Sequence, residues 1–182
     1  MIRRIGKRAI LAKPIKCEYW KPGTDIIKYL CSKLKGRIKN GDIIVLSEKA
    51  LATALGAIVD ESKIKPSTFS KIMVFLLMRI LWGYILGILT KLKKETLEWI
   101  REYPIAEGAA HKQLALVLGG ILQALKPSSE AGVDTSNLPY SYASLPLNNC
   151  SIAGKLREAL LKCLEANVGL MIVDSDRTYF NQ

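Results

Sequence analysis

The stretch NGDIIVLSEKALATALGAIVD, residues 40–60, places a strand, a helix and a second strand in direct succession. Asn40 and Gly41 predict a turn, and the continuous apolar run that follows is typical of a strand buried on both faces. Residues 48–55 predict the start of a short helix, and GAIVD, residues 56–60, predicts a strand. This order of elements indicates a mixed α/β fold.

The residues before this stretch predict a strand and a helix. AILAKPI, residues 9–15, is typical of a strand that Pro14 ends. A turn follows, Thr24 is the expected N-cap of the next helix, and Gly36 ends that helix.

The end of the chain repeats the alternation of helix and strand. Residues 152–169 predict an amphipathic helix that Gly169 closes, and residues 170–176 predict an apolar strand ending in carboxylates. One face of the helix carries Ile152, Leu156, Leu160, Cys163 and Leu164. Because 182 residues suit one hydrophobic core, we expect a single domain over 1–182 with a mixed buried sheet.

Residues 61–126 predict a helical insertion in this domain. The segment 67–104 has few helix breakers, which indicates one long helix or a helical pair. A further helix is predicted over 106–127, interrupted at Gly119–Gly120, and a loop is predicted over 128–149.

The charge and the cysteines restrict the class of protein. The net charge of +11 favours anionic partners, but Lys and Arg are spread out and no nucleic-acid-binding motif occurs. A basic solvated surface is therefore favoured over nucleic-acid binding. Four cysteines without a C-x-x-C pair, and one histidine, argue against structural zinc. We interpret the cysteines as buried free thiols of a cytoplasmic protein, although two disulfide bridges are arithmetically possible.

Two acidic segments could carry chemistry. EAGVDTSNLP, residues 130–139, contains Asp134 and Asn137, and VDSD, residues 173–176, contains Asp174 and Ser175. Carboxylates from a loop and a strand end, with further oxygen donors, are typical ligands of magnesium or manganese. The alternative is a polar turn, since Asp and Asn often bond to their own loop.

The same segments resemble a known family. AGVDTSN, residues 131–137, resembles the A-G-V/I-D-x-S-N motif of the coenzyme F420-0:L-glutamate ligases, or gamma-glutamyl ligases. KPGTDI at 21–26 is similar to that family's KPGDDL, and residues 41–59 and 151–176 resemble its strand–helix and helix–strand segments in the same order.

The resemblance implies a GTP-dependent ligase that joins the amine of L-glutamate to a deazaflavin coenzyme carboxylate. The carboxylate is first activated as an acyl phosphate, and a divalent metal, manganese or magnesium, is required. By position, the resemblance implies Asp134, Asp174 and Ser175 as metal ligands. It implies that the nucleotide is contacted by Pro14, Ile15, Lys16, Cys17, Glu48, Lys49 and Asn137.

The sequence also departs from the family pattern. The family's second lysine falls on Thr53, its glutamate falls on Leu55, and the chain stops at Gln182. We therefore expect a short, divergent member that lacks the C-terminal part of the family's nucleotide site. A non-catalytic relative that binds metal or nucleotide, or that oligomerises, is the alternative, and a basic nucleic-acid-binding protein is a further one.

The apolar stretch 72–90 is close to the minimum length of a membrane span. Arg79 near its middle would cost about 3 kcal/mol there. A single crossing would also separate Lys49 from Asp134, which the family site needs together. We therefore predict no membrane span, and a homodimer whose interface includes Met73, Phe75, Leu76, Trp82 and Ile85.

Overall fold

The computed structural model describes residues 2–5, 8–125, 130–135 and 142–174 as a mixed α/β chain, which confirms the predicted fold class. The chain forms two compact units. The first unit comprises Met1–Leu55 and Asn149–Val173, and the second comprises Gly56–Asn148 and Asp174–Gln182.

The described residues form the following strands and helices. The strands are β1 (Ile2–Ile5), β2 (Arg8–Leu11), β3 (Ile43–Ser47), β4 (Ile58–Asp60), β5 (Tyr142–Ser144) and β6 (Gly169–Val173). The helices are α1 (Ile26–Leu34), α2 (Glu48–Ala54), α3 (Thr68–Met73), a π-helical segment (Val74–Leu86), α4 (Gly87–Leu89), α5 (Lys94–Arg101), α6 (Ile105–Ala124) and α7 (Asn149–Leu164). Short 3-10 turns occupy Glu61–Lys63 and Glu130–Gly132.

The described strands form three two-stranded sheets in place of one mixed sheet. In the first unit β3 pairs with β6 in parallel, from Ile43 opposite Gly169 to Ser47 opposite Val173, and β1 pairs with β2 antiparallel. Along β3, Ile44 and Leu46 are buried, but Ile43 is 60% exposed. The expectation of a strand buried on both faces was therefore wrong, and only one face of β3 is covered.

Helices α1 and α7 bury the apolar faces that their sequences predict. The buried residues are Ile26, Leu30 and Leu34 in α1, and Leu156, Leu160 and Leu164 in α7. The N-cap of α1 is Asp25, whose Oδ1 accepts from the backbone N–H of Lys28 at 3.0 Å. The predicted cap, Thr24, instead donates its hydroxyl to the carbonyl of Lys21 at 2.6 Å, which closes the preceding turn.

The cysteines are not four buried thiols as expected. Cys31 in α1 and Cys163 in α7 form a disulfide, with Cα atoms 6.1 Å apart. Cys17 and Cys150 are free and exposed. The bridge follows from the packing of α1 on α7, which brings together two residues that lie 132 positions apart.

In the second unit, α3, the π-helical segment and α4 form one continuous helix, Thr68–Leu89. Its 22 residues are long and apolar enough to cross a membrane, judged by length and composition alone. Helix α5 follows after a short break, so of the two predicted alternatives, one long helix or a helical pair, the structure shows the pair. Its Arg101 donates Nε to the carbonyl of Gly83 at 2.9 Å, while Arg79 donates Nε to the carbonyl of Tyr103 at 2.8 Å.

Helix α6 bends at Gly120, where φ is 74° and ψ is −176°, as the interruption at Gly119–Gly120 predicts. Ala115 and Ala124 of α6 form a buried cluster with Met73. Met73 is thus buried within its own chain, which is a correction to its predicted place in a dimer interface.

The predicted loop 128–149 contains a strand that was not predicted. β5 pairs antiparallel with β4, with Ile58 opposite Ser144, and Leu145 extends the pairing by donating its N–H to Ala57. This strand is only three residues long, so its period-2 pattern is too short to recognise.

Candidate functional site

Asp134 is held by a backbone bridge to the end of β5. Its N–H donates to the carbonyl of Ser144 at 3.2 Å, and Ser144 returns an N–H bond to the Asp134 carbonyl at 2.8 Å. The Ser144 hydroxyl adds a third bond to the same carbonyl at 3.1 Å. Oδ2 of the Asp134 carboxylate is buried. Ser144 therefore satisfies both the backbone N–H and the backbone carbonyl of Asp134, which fixes the residue beside β5.

The turn before Asp134 rests on a small apolar cluster. Val133 is buried against Leu114 of α6 and Ala143 of β5. Gly132 has φ of 74°, and a Cβ there would lie 3.1 Å from Cβ of Pro146. Gly132 therefore allows both the left-handed turn and the close approach of the chain to Pro146.

Asp174 and Ser175 were predicted as the other metal ligands, and Asn137 was predicted to contact the nucleotide. Asp174 follows β6 directly and is exposed. Ser175 and Asn137 lie outside the described residues. In residues 2–5, 8–125, 130–135 and 142–174, no three His, Cys, Asp or Glu side chains come together as a metal cluster. The assignment of the metal ligands stays a prediction.

Glu48 and Lys49 begin α2 immediately after β3, and both are half-buried. Thr53, one turn later, is buried and donates its hydroxyl to the carbonyl of Lys49 at 2.9 Å. The position where the family carries a second lysine thus holds a short side chain bonded to its own helix. The structure does not test the nucleotide role predicted for Glu48 and Lys49.

The segment Pro14 to Cys17 is an exposed connection before α1 that includes Ile15 and Lys16. The residues that follow it are anchored. Glu18 donates its N–H to the Tyr29 hydroxyl at 2.8 Å, and the buried Trp20 packs edge-on against the Tyr29 ring at 5.8 Å. The connection is open to solvent, and its predicted contact with a nucleotide stays a prediction.

Three consecutive polar residues of α6 form interactions that the sequence analysis missed. His111 Nδ1 lies 2.6 Å from Oε1 of Glu61, and Gln113 accepts from the Ser70 hydroxyl at 2.8 Å. Between them, the fully buried Lys112 donates Nζ to the carbonyl of Ala124 at 2.7 Å. The sequence signal for these interactions is a run of three polar residues with apolar neighbours on both sides in α6.

The family model of the F420-0:gamma-glutamyl ligases matches residues 14–182. The chain belongs to this family. The predicted membership is therefore confirmed, and it extends across the helical region 61–126 that the motifs left unaligned. A ligase-like function is supported at the level of the family.

A similar protein is the uncharacterised protein MJ1361 of Methanocaldococcus jannaschii. It is 38% identical over 172 residues, which cover 92% of this chain and 59% of the relative. The chain thus spans about three fifths of the length of the curated relative that it matches.

Proposed function

We propose that this protein acts in GTP- and divalent-metal-dependent ligation of L-glutamate to a coenzyme carboxylate. A carboxylate oxygen of the coenzyme attacks the γ-phosphorus of GTP, which releases GDP and gives an acyl phosphate. The glutamate amine then attacks the acyl carbon, phosphate leaves with the bonding electron pair, and the nitrogen loses a proton. The family membership of the chain supports this reaction class.

The register of β3 with β6 carries the proposal. The two strands run parallel and end together at the Ser47–Val173 pair. Ligands of α/β proteins commonly bind beyond the carboxyl ends of parallel strands. Glu48 and Lys49 continue the chain from one of these strand ends, and Asp174 continues it from the other.

The available donors fit a hard cation. Magnesium usually keeps several waters and takes one or two protein carboxylates together with phosphate oxygens. We assign Asp134, Asp174 and the Ser175 hydroxyl as its protein ligands, because two carboxylates and a hydroxyl are oxygen donors of the type that such a cation takes. When bound, the metal would offset the negative charge of the phosphates.

Lys49 supplies the positive charge expected beside the transferred phosphate. A lysine placed there stabilises charge that develops on the phosphoryl oxygens during transfer. The net charge of +11 suits both GTP and an anionic coenzyme. We propose a cytoplasmic location, because the nucleotide and the soluble coenzyme are available there.

A non-catalytic relative that binds metal or nucleotide is the second candidate, and Thr53 favours it. Threonine carries no charge, and the hydroxyl of Thr53 is buried and donates to the Lys49 carbonyl. It therefore cannot replace the positive charge of the family's second lysine beside a phosphate. Such a protein would retain the carboxylates and Lys49 yet lack part of the charge needed for phosphoryl transfer.

Calorimetry with manganese and GTP, followed by a product assay, tests the proposal. Asp174→Asn keeps the size of the side chain and removes its charge, so manganese affinity should fall by about 10²-fold or more while the fold survives. Asp176→Asn is the matched control two residues along the chain, and it should have little effect. Mass spectrometry of the coenzyme should show one added glutamate only with GTP present.

Each result assigns one function. Manganese and GTP binding without glutamate addition identifies the non-catalytic relative. Equal losses in Asp174→Asn and Asp176→Asn, or no manganese binding by the wild type, contradict the metal assignment. Salt-sensitive binding to any DNA duplex, without GTP binding, would favour the basic nucleic-acid-binding protein.

A further inference from the structure

The helix Thr68–Leu89 exposes one row of large aliphatic side chains. Their exposed fractions lie between 41% and 72%. We call this row the apolar stripe; it consists of Ile72, Leu76, Ile80, Ile85 and Leu89. Soluble monomers rarely leave such a continuous apolar surface open unless it binds something.

The π-helical segment explains why this row stays on one side. Its members recur every four or five residues, which matches the wider turn of i→i+5 hydrogen bonding. An α-helix advances 100° per residue, so the same residues would spread around its surface. The buried residues Val74, Met78, Gly83 and Gly87 follow the same spacing on the other side.

The other side of the helix is covered by its own unit. Met73 packs on Ala115 and Ala124 of α6. Farther along, a Cβ on Gly83 would lie 2.9 Å from Cγ of Arg101, and one on Gly87 would overlap Leu97 of α5. The helix is therefore presented side-on, with one long face packed and the opposite long face open.

A groove and exposed aromatic rings extend the open face. The groove has a volume of about 460 Å³ and is lined by Thr68, Lys71, Ile72, Phe75, Leu76 and Ile105. Phe69 near the start of the helix is 50% exposed, and Tyr84 near its end is 57% exposed. Tyrosine is enriched at membrane–water interfaces, where its ring lies in an apolar environment and its hydroxyl stays hydrated.

Exposed lysines lie at both ends of the apolar stripe. Lys71 lines the groove at the start, and Lys91 and Lys93 follow the end of the helix, whereas Lys94 pairs with Glu98 at 3.9 Å. Lysines in these positions can keep their amines in the headgroup region while their stems cover apolar surface. Their charge complements anionic headgroups at both ends.

The same lysines disfavour a second copy of the chain on this face. A twofold axis pairs identical surfaces, so lysine-bearing ends meet lysine-bearing ends whichever way the two helices run. Like charges at short distance oppose that pairing. The homodimer predicted from the sequence uses Phe75, Leu76 and Ile85 of this face and is therefore the competing occupant.

From these observations we propose that the second unit docks side-on to an anionic lipid bilayer through the apolar stripe. The aliphatic side chains enter the boundary between headgroups and acyl chains, and the flanking lysines contact the headgroups. The strength of such docking grows with the buried apolar area and with the charge on the lipid. The lipid surface would thereby hold the ligase-like protein at the membrane without a crossing.

Vesicle co-sedimentation with the full chain tests this proposal. The probes are vesicles of phosphatidylcholine alone and vesicles of equal parts phosphatidylcholine and phosphatidylglycerol. Binding is expected to the anionic vesicles, and Leu76→Glu with Ile85→Glu should weaken it by roughly tenfold or more. Leu76→Ser with Ile85→Ser serves if the first pair fails to fold, as judged by circular dichroism.

A matched control separates insertion from adsorption of a basic protein. Leu11→Glu with Val45→Glu adds the same charge at exposed apolar residues of the first unit and should leave vesicle binding nearly unchanged. Lys71→Gln with Lys93→Gln should weaken binding to anionic vesicles.

Two outcomes overturn the proposal. If Leu76→Glu with Ile85→Glu and Leu11→Glu with Val45→Glu weaken vesicle binding equally, the loss is due to the change in net charge. A dimer by light scattering that the stripe variant dissociates, with no vesicle binding, would assign the face to a second copy of the chain.

Discussion

Lys112 Nζ donates to the backbone carbonyl of Ala124 at 2.7 Å, across the bend of α6 at Gly120. Ala124 is the last residue of α6, and the last carbonyls of a helix have no hydrogen-bond partner within it. Lys112 is fully buried, so its long side chain replaces a missing helical bond inside the second unit. A polar residue in the middle of an apolar helix thus stabilises the bent form.

Replacing this lysine should destabilise the second unit. Lys112→Met keeps much of the volume but leaves the Ala124 carbonyl without this donor, which should cost about 2–3 kcal/mol. Urea unfolding followed by circular dichroism measures the loss. Lys63→Met is the control, because the Lys63 side chain is 80% exposed and its change should stay within about 0.5 kcal/mol. Equal losses in both variants would contradict the role given to Lys112.

The Glu61–His111 pair should show energetic coupling. The two side chains are only 12% and 14% exposed, and their atoms lie 2.6 Å apart. A double-mutant cycle of Glu61→Ala and His111→Ala should give an interaction free energy of about 1–3 kcal/mol. The Lys94–Glu98 pair, at 3.9 Å and mostly exposed, is the matched comparison and should give about 0.5 kcal/mol or less. Additive effects in the first cycle would show that the contact contributes nothing to stability.

The disulfide between Cys31 and Cys163 should stabilise the first unit. It ties α1 to α7 across a sequence separation of 132 residues, and bridges that close long loops restrict the unfolded chain most. Cys31→Ser with Cys163→Ser should lower the free energy of unfolding by about 2–5 kcal/mol. Thermal unfolding of the wild type should shift downward on adding a thiol reductant.

The two free cysteines provide the control for that experiment. Cys17→Ser with Cys150→Ser removes two exposed thiols and should keep the full reductant-dependent shift. Intact-mass analysis after alkylation should find two reactive thiols in the unreduced wild type. Four reactive thiols would show that the bridge does not form.

The sequence predicted the elements whose signals are local. Three predicted features depend only on neighbouring residues, and all three are present: the apolar face of α7, the strand within residues 56–60 and the interruption at Gly119–Gly120. Asp25 is the N-cap of α1 because the Thr24 hydroxyl already bonds to Lys21 in the preceding turn. Both residue types are favoured at N-caps, so residue preference alone does not distinguish them.

The features that were missed depend on distant residues or on unusual helix geometry. β3 pairs with β6, which is separated from it by most of the chain, and the burial of only one face of β3 depends on what packs against that face. The π-helical segment repeats every four or five residues, a wider period than that of the α-helix, and the prediction of a helix over 67–104 did not include it. For the candidate site, the motif identified the family, but Asn137 and Ser175 lie outside the described residues.

Two glycine substitutions should change the free energy of unfolding in opposite directions. Gly120 has φ of 74° and ψ of −176°, a backbone conformation that only glycine adopts readily, so Gly120→Ala should cost about 1–3 kcal/mol. Gly154 lies inside α7 with open space around its missing Cβ, and Gly154→Ala should stabilise by about 0.5–1 kcal/mol because alanine favours helix. Urea unfolding of both variants measures the two changes against the wild type. If Gly120→Ala is neutral while Gly154→Ala stabilises as expected, α6 can straighten in solution, and the Lys112–Ala124 bond is then not required to hold the bend.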